Sequence, residues 1–225
     1  MIIVTLKDHF NHISKTNSAQ YLHTDTKQYQ IMKKKILSFT GFIFLLFLQV
    51  QTNAQGYIAK SAKITIDGTS TMHDWSSVVT KASIQSDFTV VKGVIQKLNS
   101  ATINLETKSI KSTKNSSLMD DRTYSTLKAD KFPNITFVLT KVVSIQQTGN
   151  EATVTVTGNL TIGGVTKPTD LILKIKTLAN DEIEVKGTKK ITMSNHGIKP
   201  PSFMLGALKV ADEVSINYYV VLIKK

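Results

Sequence analysis

The chain has 225 residues, and its 28 Lys and Arg residues against 16 Asp and Glu residues give a formal net charge of +12. A hydrophobic fraction of 41% excludes a largely disordered chain. The absence of cysteine excludes disulfides, thiolate zinc sites, iron–sulfur clusters and a cysteine nucleophile. The length fits one large or two small domains, and the basic charge predicts nucleic acid, an anionic membrane surface or an acidic ligand as a partner.

Residues 32–54 have the layout of a secretory signal peptide. Three lysines at 33–35 precede the apolar run 36–48, whose 13 residues are too few for a membrane span of roughly 20. Small residues then suit cleavage after Ala54. We therefore expect a periplasmic or secreted protein whose mature chain begins at Gln55 or the next residue. The alternative interpretation of the apolar run is a buried core helix.

Residues 1–31 lie ahead of this segment, are polar and show no sustained apolar period. Because a signal peptide begins near its methionine, we predict that Met32 is the true start and that 1–31 are an over-called extension. The remaining residues, 55–225, contain no internal repeat or linker and are expected to form one domain. No cysteine follows the apolar run, which excludes a lipoprotein anchor at that point.

Much of the basic charge remains in the predicted mature chain. Residues 1–54 contain six lysines and two aspartates, which leaves 22 basic and 14 acidic residues, a formal charge of +8, in 55–225. Arg122 is the one arginine among them, and the lysines are spread along the chain. Because nucleic-acid recognition relies on arginine, we predict no nucleic-acid partner, and we expect at most a transient contact with an anionic membrane surface.

The dominant period from residue 57 onward is two, which predicts β-strands. In 153–162, for example, aliphatic side chains occupy one face and threonines the other. Turn chemistry separates the runs at Gly149-Asn150, Gly163-Gly164 and Asn180-Asp181. The predicted strands are 57–67, 76–91, 93–109, 134–146, 153–162, 171–176, 183–193 and 212–223.

Eight such strands, apolar on one face and rich in threonine and lysine on the other, predict an all-β protein with an antiparallel sheet that is solvated on one side. An open sheet would leave two unpaired edges, so we expect it to close into an eight-stranded barrel. The interior of such a barrel either fills with side chains or holds one small ligand. Long strands and a shortage of helices to plug the ends favour the ligand cavity.

One short α-helix is predicted to interrupt the strands. Ser117 is its expected N-cap, because an acidic first turn follows, and the helix is expected to end near Ala129. Leu118 and Leu127 are predicted to face inward and Arg122 outward. A helix at a barrel mouth can be a lid, although a packing element is the commoner role.

Groups for catalysis or metal binding are scarce. Only His73 and His196 lie in 55–225, and a transition-metal site would need both together with carboxylates that no local spacing supplies. No G-x-S-x-G, P-loop or G-x-G-x-x-G motif is present. We predict no metal, no cofactor and no enzymatic activity. An enzyme that acts on a lipid head group through one of the two histidines is a third, weaker hypothesis.

Four segments, in this order along the chain, resemble the YceI-like family, the lipocalin-like polyisoprenoid-binding proteins of bacteria. The first strand leads into His73-Asp74-Trp75, and 127–137 is similar to the family's helix-exit motif. Residues 156–167 look like its most recognisable hairpin, and 193–214 complete the order. The resemblance covers the whole predicted mature domain. The chain departs from it in 193–197, where many members carry an arginine, so the head-group preference stays open.

The resemblance implies an extended barrel with a helix around a long apolar cavity, in an exported or periplasmic protein. It also implies a polyisoprenoid or similar long-chain amphiphilic lipid as ligand, without catalysis. The alternative hypothesis is a barrel with a filled interior that acts as an envelope structural or stress-response protein and has no lipid ligand. The sequence leaves the oligomeric state, the ligand identity and the delivery partner open.

We expect apolar side chains on the barrel wall to hold the lipid chain, with simple core packing as the alternative for each of them. The predicted lining residues are Trp75, Phe88, Ile103, Leu105, Phe137, Leu160, Leu173 and Met193. The predicted entrance residues are Leu118, Leu127, Phe132, Phe203, Met204 and Leu205. The triplet 203–205 is expected to plug the barrel rather than to touch a membrane. For Trp75 and His73 we favour packing at the barrel bottom over contact with a head group.

Overall fold

The computed structural model describes residues 55–225, so the predicted signal peptide and the segment ahead of it lie outside the described residues. The part described contains eleven strands, one α-helix and short 3₁₀ turns. The elements are β1 (Gln55–Ser70), β2 (Trp75–Val79), β3 (Ala82–Val91), β4 (Val94–Glu106), β5 (Ile110–Ser112), α1 (Ser117–Leu127), β6 (Asn134–Thr148), β7 (Glu151–Ile162), β8 (Val165–Thr177), β9 (Ile183–Thr192), β10 (Ser202–Phe203) and β11 (Leu208–Lys224).

Eight long strands close into an antiparallel barrel, as predicted. The neighbours run β11-β9-β8-β7-β6-β4-β3-β1, and β1 pairs again with β11. The other edge of β1 is shared between two partners, since Gln55–Ile58 pair with β3 and Ile64–Gly68 with β2. The predicted strands 76–91 and 93–109 are each split in two, because the chain leaves the β3–β4 hairpin to form the short pair β2–β5.

One end of the barrel is filled by side chains. Tyr57 and Phe88 are both almost fully buried there and contact each other edge to face, with ring centroids 5.7 Å apart. Val154 and Ile183 have no exposed surface. The Thr177 hydroxyl lies 2.5 Å from the carbonyl oxygen of residue 93 and 3.0 Å from that of residue 150, so it ties the turns of two hairpins together. We call this the closed end.

Helix α1 lies at the opposite end, which we call the helix end. Asp120 accepts a hydrogen bond from the backbone N–H of Ser112 at 2.7 Å, and the Tyr124 hydroxyl donates to the Ile110 carbonyl at 3.0 Å. Both contacts tie the helix to β5. The predicted N-cap was wrong by one residue, because the Ser116 hydroxyl, not that of Ser117, accepts from the N–H at the N3 position of the helix.

The helix also ends earlier than predicted. Lys128 adopts a left-handed conformation with φ of 53°, and its N–H bonds back to the helix, so Ala129 lies outside α1. The three predicted turns are confirmed. Gly163 and Gly164 have φ of 56° and 83°, and Asn180 and Asp181 have φ of 60° and 59°. Glycine and asparagine suit these positions because most other side chains are strained at positive φ.

The seam between β8 and β9 is incomplete. They pair only from Lys174–Lys186 to Thr177–Ile183, next to the closed end. Within the described strands, residues 165–173 of β8 do not pair with residues 187–192 of β9. We call this region the β8–β9 gap. Two side chains bridge it, because the Tyr218 hydroxyl donates to the carbonyl of residue 172 at 3.1 Å and His196 Nδ1 lies 3.2 Å from that of residue 165.

Gly158 on β7 illustrates how tightly the barrel wall packs, and Gly158→Ala is expected to destabilise the protein by about 1–3 kcal/mol. A Cβ there would collide with the Phe137 ring and lie 2.7 Å from the backbone oxygen of Val138, which cannot move without breaking the ladder. Gly56→Ala is the control, since a Cβ at that strand position meets only one atom, at 3.9 Å. Equal urea midpoints for the two variants would contradict this packing argument.

Burial raises the pKa of Tyr218 to about 12. A raised tyrosine pKa contributes stability below pH 10, and that contribution is lost as the pH rises from 10 to 12. We expect Tyr218→Phe to show a smaller loss of unfolding free energy over this window than the wild type, by at most about 3 kcal/mol, since one pKa unit is worth about 1.4 kcal/mol. Urea unfolding at pH 9, 10, 11 and 12 measures it.

Part of the alkaline loss will remain in the variant, because burial is also the largest cause of the raised pKa of Tyr57. If Tyr218→Phe and the wild type lose the same free energy between pH 9 and 12, the pKa of Tyr218 is not raised in the folded protein.

Candidate ligand-binding cavity

The barrel encloses a cavity of about 480 Å³ between the closed end and the helix end. All eight barrel strands contribute to its wall, because the inward positions of each strand are apolar and alternate with polar outward ones. The wall reaches from buried Phe88 to Leu118 on α1, which is 59% exposed, so the cavity opens to the surface at the helix end. Its volume lies within the range of roughly 300–1,000 Å³ that is usual for small-molecule sites.

Most of the predicted site residues lie on this wall. All eight of the predicted lining residues do so: Trp75, Phe88, Ile103, Leu105, Phe137, Leu160, Leu173 and Met193. Three of the predicted entrance residues also do so: Leu118, Leu127 and Phe203. Their contact with a ligand stays a prediction.

Phe132, Met204 and Leu205 do not line the cavity, and their contact with a ligand stays a prediction. Phe132 packs its ring against Gly164 in the β7–β8 turn, where it anchors the chain that leaves α1. Met204 and Leu205 form the tip of the β10–β11 connection and are 71% and 111% exposed. Met204 and Leu205 therefore do not plug the barrel as expected, because the tight turn points both side chains into solvent.

Trp75 also lies elsewhere than expected. It begins β2 at the helix end, not at the barrel bottom. Its ring covers Gly68, where a Cβ would be 2.6 Å from the indole Cε2, and its N–H donates to the backbone oxygen of Thr69 at 3.3 Å. The indole nitrogen is thus already bonded to the backbone. The ring presents an apolar surface to the mouth of the cavity, where exposed His73 also lies.

Arg122 was predicted to face outward, and this was wrong. Its guanidinium carbon lies 3.8 Å from the centroid of the Phe203 ring, and both residues belong to the cavity wall. This cation–π stack joins α1 to β10 across the mouth. The helix periodicity did not reveal it, because the partner ring comes from a segment 81 positions later in the chain. Lys114 adds a second cation to the mouth.

A few hydroxyl groups interrupt the apolar wall deeper inside. Ser77 and Ser112 lie directly opposite each other in the β2–β5 ladder, and both are buried on the wall. The Ser86 hydroxyl is buried and has no hydrogen-bond partner among the described residues. An unpaired buried hydroxyl costs about 1–3 kcal/mol, so a polar atom of a ligand would gain by pairing with it.

The described residues supply no evident metal centre. No group of three His, Asp or Glu side chains is arranged there to hold an ion. His196 is 4% exposed, lines the cavity and lies with Nδ1 3.2 Å from the carbonyl oxygen of Val165 on β8. None of the helices in 55–225 has the length and apolar character needed to cross a membrane.

The fold matches solved structures across nearly their whole length. Burkholderia cenocepacia BcnA is 21% identical with a TM-score of 0.55, covering 71% of this chain and 95% of that one. A polyisoprenoid binding domain from Saccharophagus degradans, implicated in plant cell wall breakdown, is 13% identical with a TM-score of 0.59, covering 77% and 100%. A Campylobacter jejuni YceI protein is 20% identical with a TM-score of 0.50, covering 65% and 82%.

At these identities the structural matches establish a shared fold. No match was found among functionally curated proteins. The sequence itself provides the family, since residues 48–222, most of the chain and nearly all of the barrel, match the YceI-like domain. The motif order, the closed eight-stranded barrel and this match agree, and the chain belongs to the YceI-like family.

Proposed function

We propose that this protein binds a long-chain amphiphilic lipid, a polyisoprenoid or a chain of similar shape, inside the barrel. The observation that carries the proposal is the apolar cavity, sealed at one end and open at the other. An apolar chain inserted from the helix end leaves water along its whole length, at about 0.8 kcal/mol per buried methylene group. The activity proposed is binding without chemical conversion of the lipid.

The family and the shared fold support this proposal. The domain from Saccharophagus degradans that has the same fold is described as polyisoprenoid binding. The apolar wall does not distinguish an isoprenoid from an acyl chain, since both present only C–H groups to it. We further propose a periplasmic or secreted carrier, on the strength of the signal-like segment 32–54 and the formal charge of +8 in 55–225, which suits an anionic envelope.

The alternative hypothesis, a barrel filled with side chains, fits only the closed end. There Tyr57 and Ile175 are at most 2% exposed and do not line the cavity, so their side chains fill the interior. The other half of the barrel retains a cavity of about 480 Å³. A purely structural role would not require such a cavity, which costs stability that packed side chains would supply.

Native mass spectrometry of the protein purified from a cell envelope tests the proposal. We expect a hydrophobic adduct that denaturation releases. In addition, Trp75 is the single tryptophan of the chain, so its fluorescence should respond when farnesol or longer polyprenols are added to the delipidated protein. A clean apoprotein whose fluorescence no polyprenol or fatty alcohol changes would overturn the proposal.

A cavity-blocking pair sharpens the test. Ala101→Phe places a ring into the cavity, because Ala101 lines it, whereas Thr102→Phe on the same strand points outward. We expect Ala101→Phe to weaken polyprenol binding at least about tenfold, equivalent to about 1.4 kcal/mol, and Thr102→Phe to leave it unchanged. Thermal unfolding of both variants checks the fold. Equal affinities in the two variants would place the ligand outside the barrel.

A further inference from the structure

Lys189 breaks the inward pattern of β9. Val185 and Ile191 lie on the same face of this strand, and both line the cavity. Lys189 lies between them in the strand at an even spacing from both, so its side chain is on the same face, and it too belongs to the cavity wall. Its register partner is Ile216 of β11, which is another apolar wall residue. A cationic side chain therefore occupies a position where the barrel otherwise carries aliphatic groups.

No described carboxylate compensates this charge. The two nearest lysines along β9 are each paired, Lys186 with Glu184 at 3.2 Å and Lys190 with Glu213 at 2.8 Å. Among the ion pairs and side-chain hydrogen bonds within 55–225, none involves Lys189. Removing an ammonium from bulk water without a partner is costly, so a cation held at the wall of an apolar cavity favours an anion beside it.

Lys189 lies on the part of β9 that does not pair with β8. On its β8 side the ladder is missing, since the β8–β9 gap spans 187–192. Pro168, which has no N–H to donate, lies in the facing stretch of β8. Tyr218 bridges the gap at residue 172 of β8, and His196 bridges it at residue 165. Lys189, on the cavity wall, thus lies beside two strand edges that form no ladder with each other.

We propose that Lys189 binds the anionic end of the amphiphile, a carboxylate or a phosphate monoester, at the β8–β9 gap while the chain lies in the cavity. This proposal rests on the proposed lipid-binding function and specifies the class of ligand. The two cations at the mouth are less suited to bind this anion. Arg122 is stacked on Phe203, and Lys114 is exposed to water, which weakens an ion pair.

Paired ligands that differ only in charge test this assignment. Displacement titrations would compare oleate with oleyl alcohol, and farnesyl monophosphate with farnesol, on the full folded domain. Lys189→Met keeps the length of the side chain and removes the charge. We expect this variant to lower the affinity for oleate or farnesyl monophosphate at least about tenfold and to change the affinity for the two alcohols less than about twofold. The pair with the larger selective loss identifies the anion.

Lys190→Met is the matched control, because it removes the same charge from the next residue, which is exposed and paired with Glu213. It should leave all four ligands unchanged. Lys189→Arg should retain the preference for the anions, and Lys189→Gln replaces Lys189→Met if the latter unfolds. The assignment would be overturned by equal losses of affinity for the anion and the alcohol in Lys189→Met, or by equal effects of Lys189→Met and Lys190→Met. A selective loss of anion affinity in Lys114→Met instead would also overturn it.

Failure of this assignment is distinguishable from failure of the proposed function. If the wild type binds the alcohols and Lys189→Met changes no anion selectively, the barrel binds lipid and Lys189 does not read the head group. If the wild type binds neither alcohols nor anions, both proposals fail.

Discussion

The pairing of β1 with β11 is the constraint on which the rest of the structure depends. It runs nearly the whole length of both strands, from Tyr57–Lys224 to Ser70–Val210. Without it, the sheet would have two long open edges and its apolar face would meet water. With it, the inward side chains of eight strands face one another, and their volumes decide how much of the interior is filled.

Those volumes differ between the two ends. At the closed end, Tyr57 and Phe88 bring aromatic rings to neighbouring strands, and β-branched residues from β7 and β9 fill the space around them. Toward the helix end the inward residues include Ala101 and several serines, which leave the centre of the barrel empty. A barrel of this strand number is just wide enough for side chains to fill, so a few small residues suffice to create a cavity.

The period-two pattern predicted the barrel well, because one buried face and one solvated face leave a direct mark on the sequence. Most of the residues that it marked as inward lie on the cavity wall, since an inward position on a barrel strand is either core or cavity. What it could not predict depends on distant contacts. Arg122 faces the cavity mouth because the Phe203 ring lies there, and Phe132 leaves the mouth because Gly164 accepts its ring. Met204 and Leu205 are apolar yet exposed, because the geometry of the β10–β11 turn overrides their preference for burial.

The β8–β9 gap combines several residues that are individually unfavourable in a barrel wall. Gly187 weakens a strand, yet a Cβ there would lie 2.6 Å from the Tyr218 ring carbon and 2.7 Å from the carbonyl that Tyr218 bonds. Pro168 removes a backbone donor, and Lys189 brings a cation to an apolar wall. Each of these departures from the strand pattern costs stability. Together on one seam they suit the proposed anion site, since an opening needs unpaired strand edges and an anion needs a cation that no protein carboxylate has neutralised.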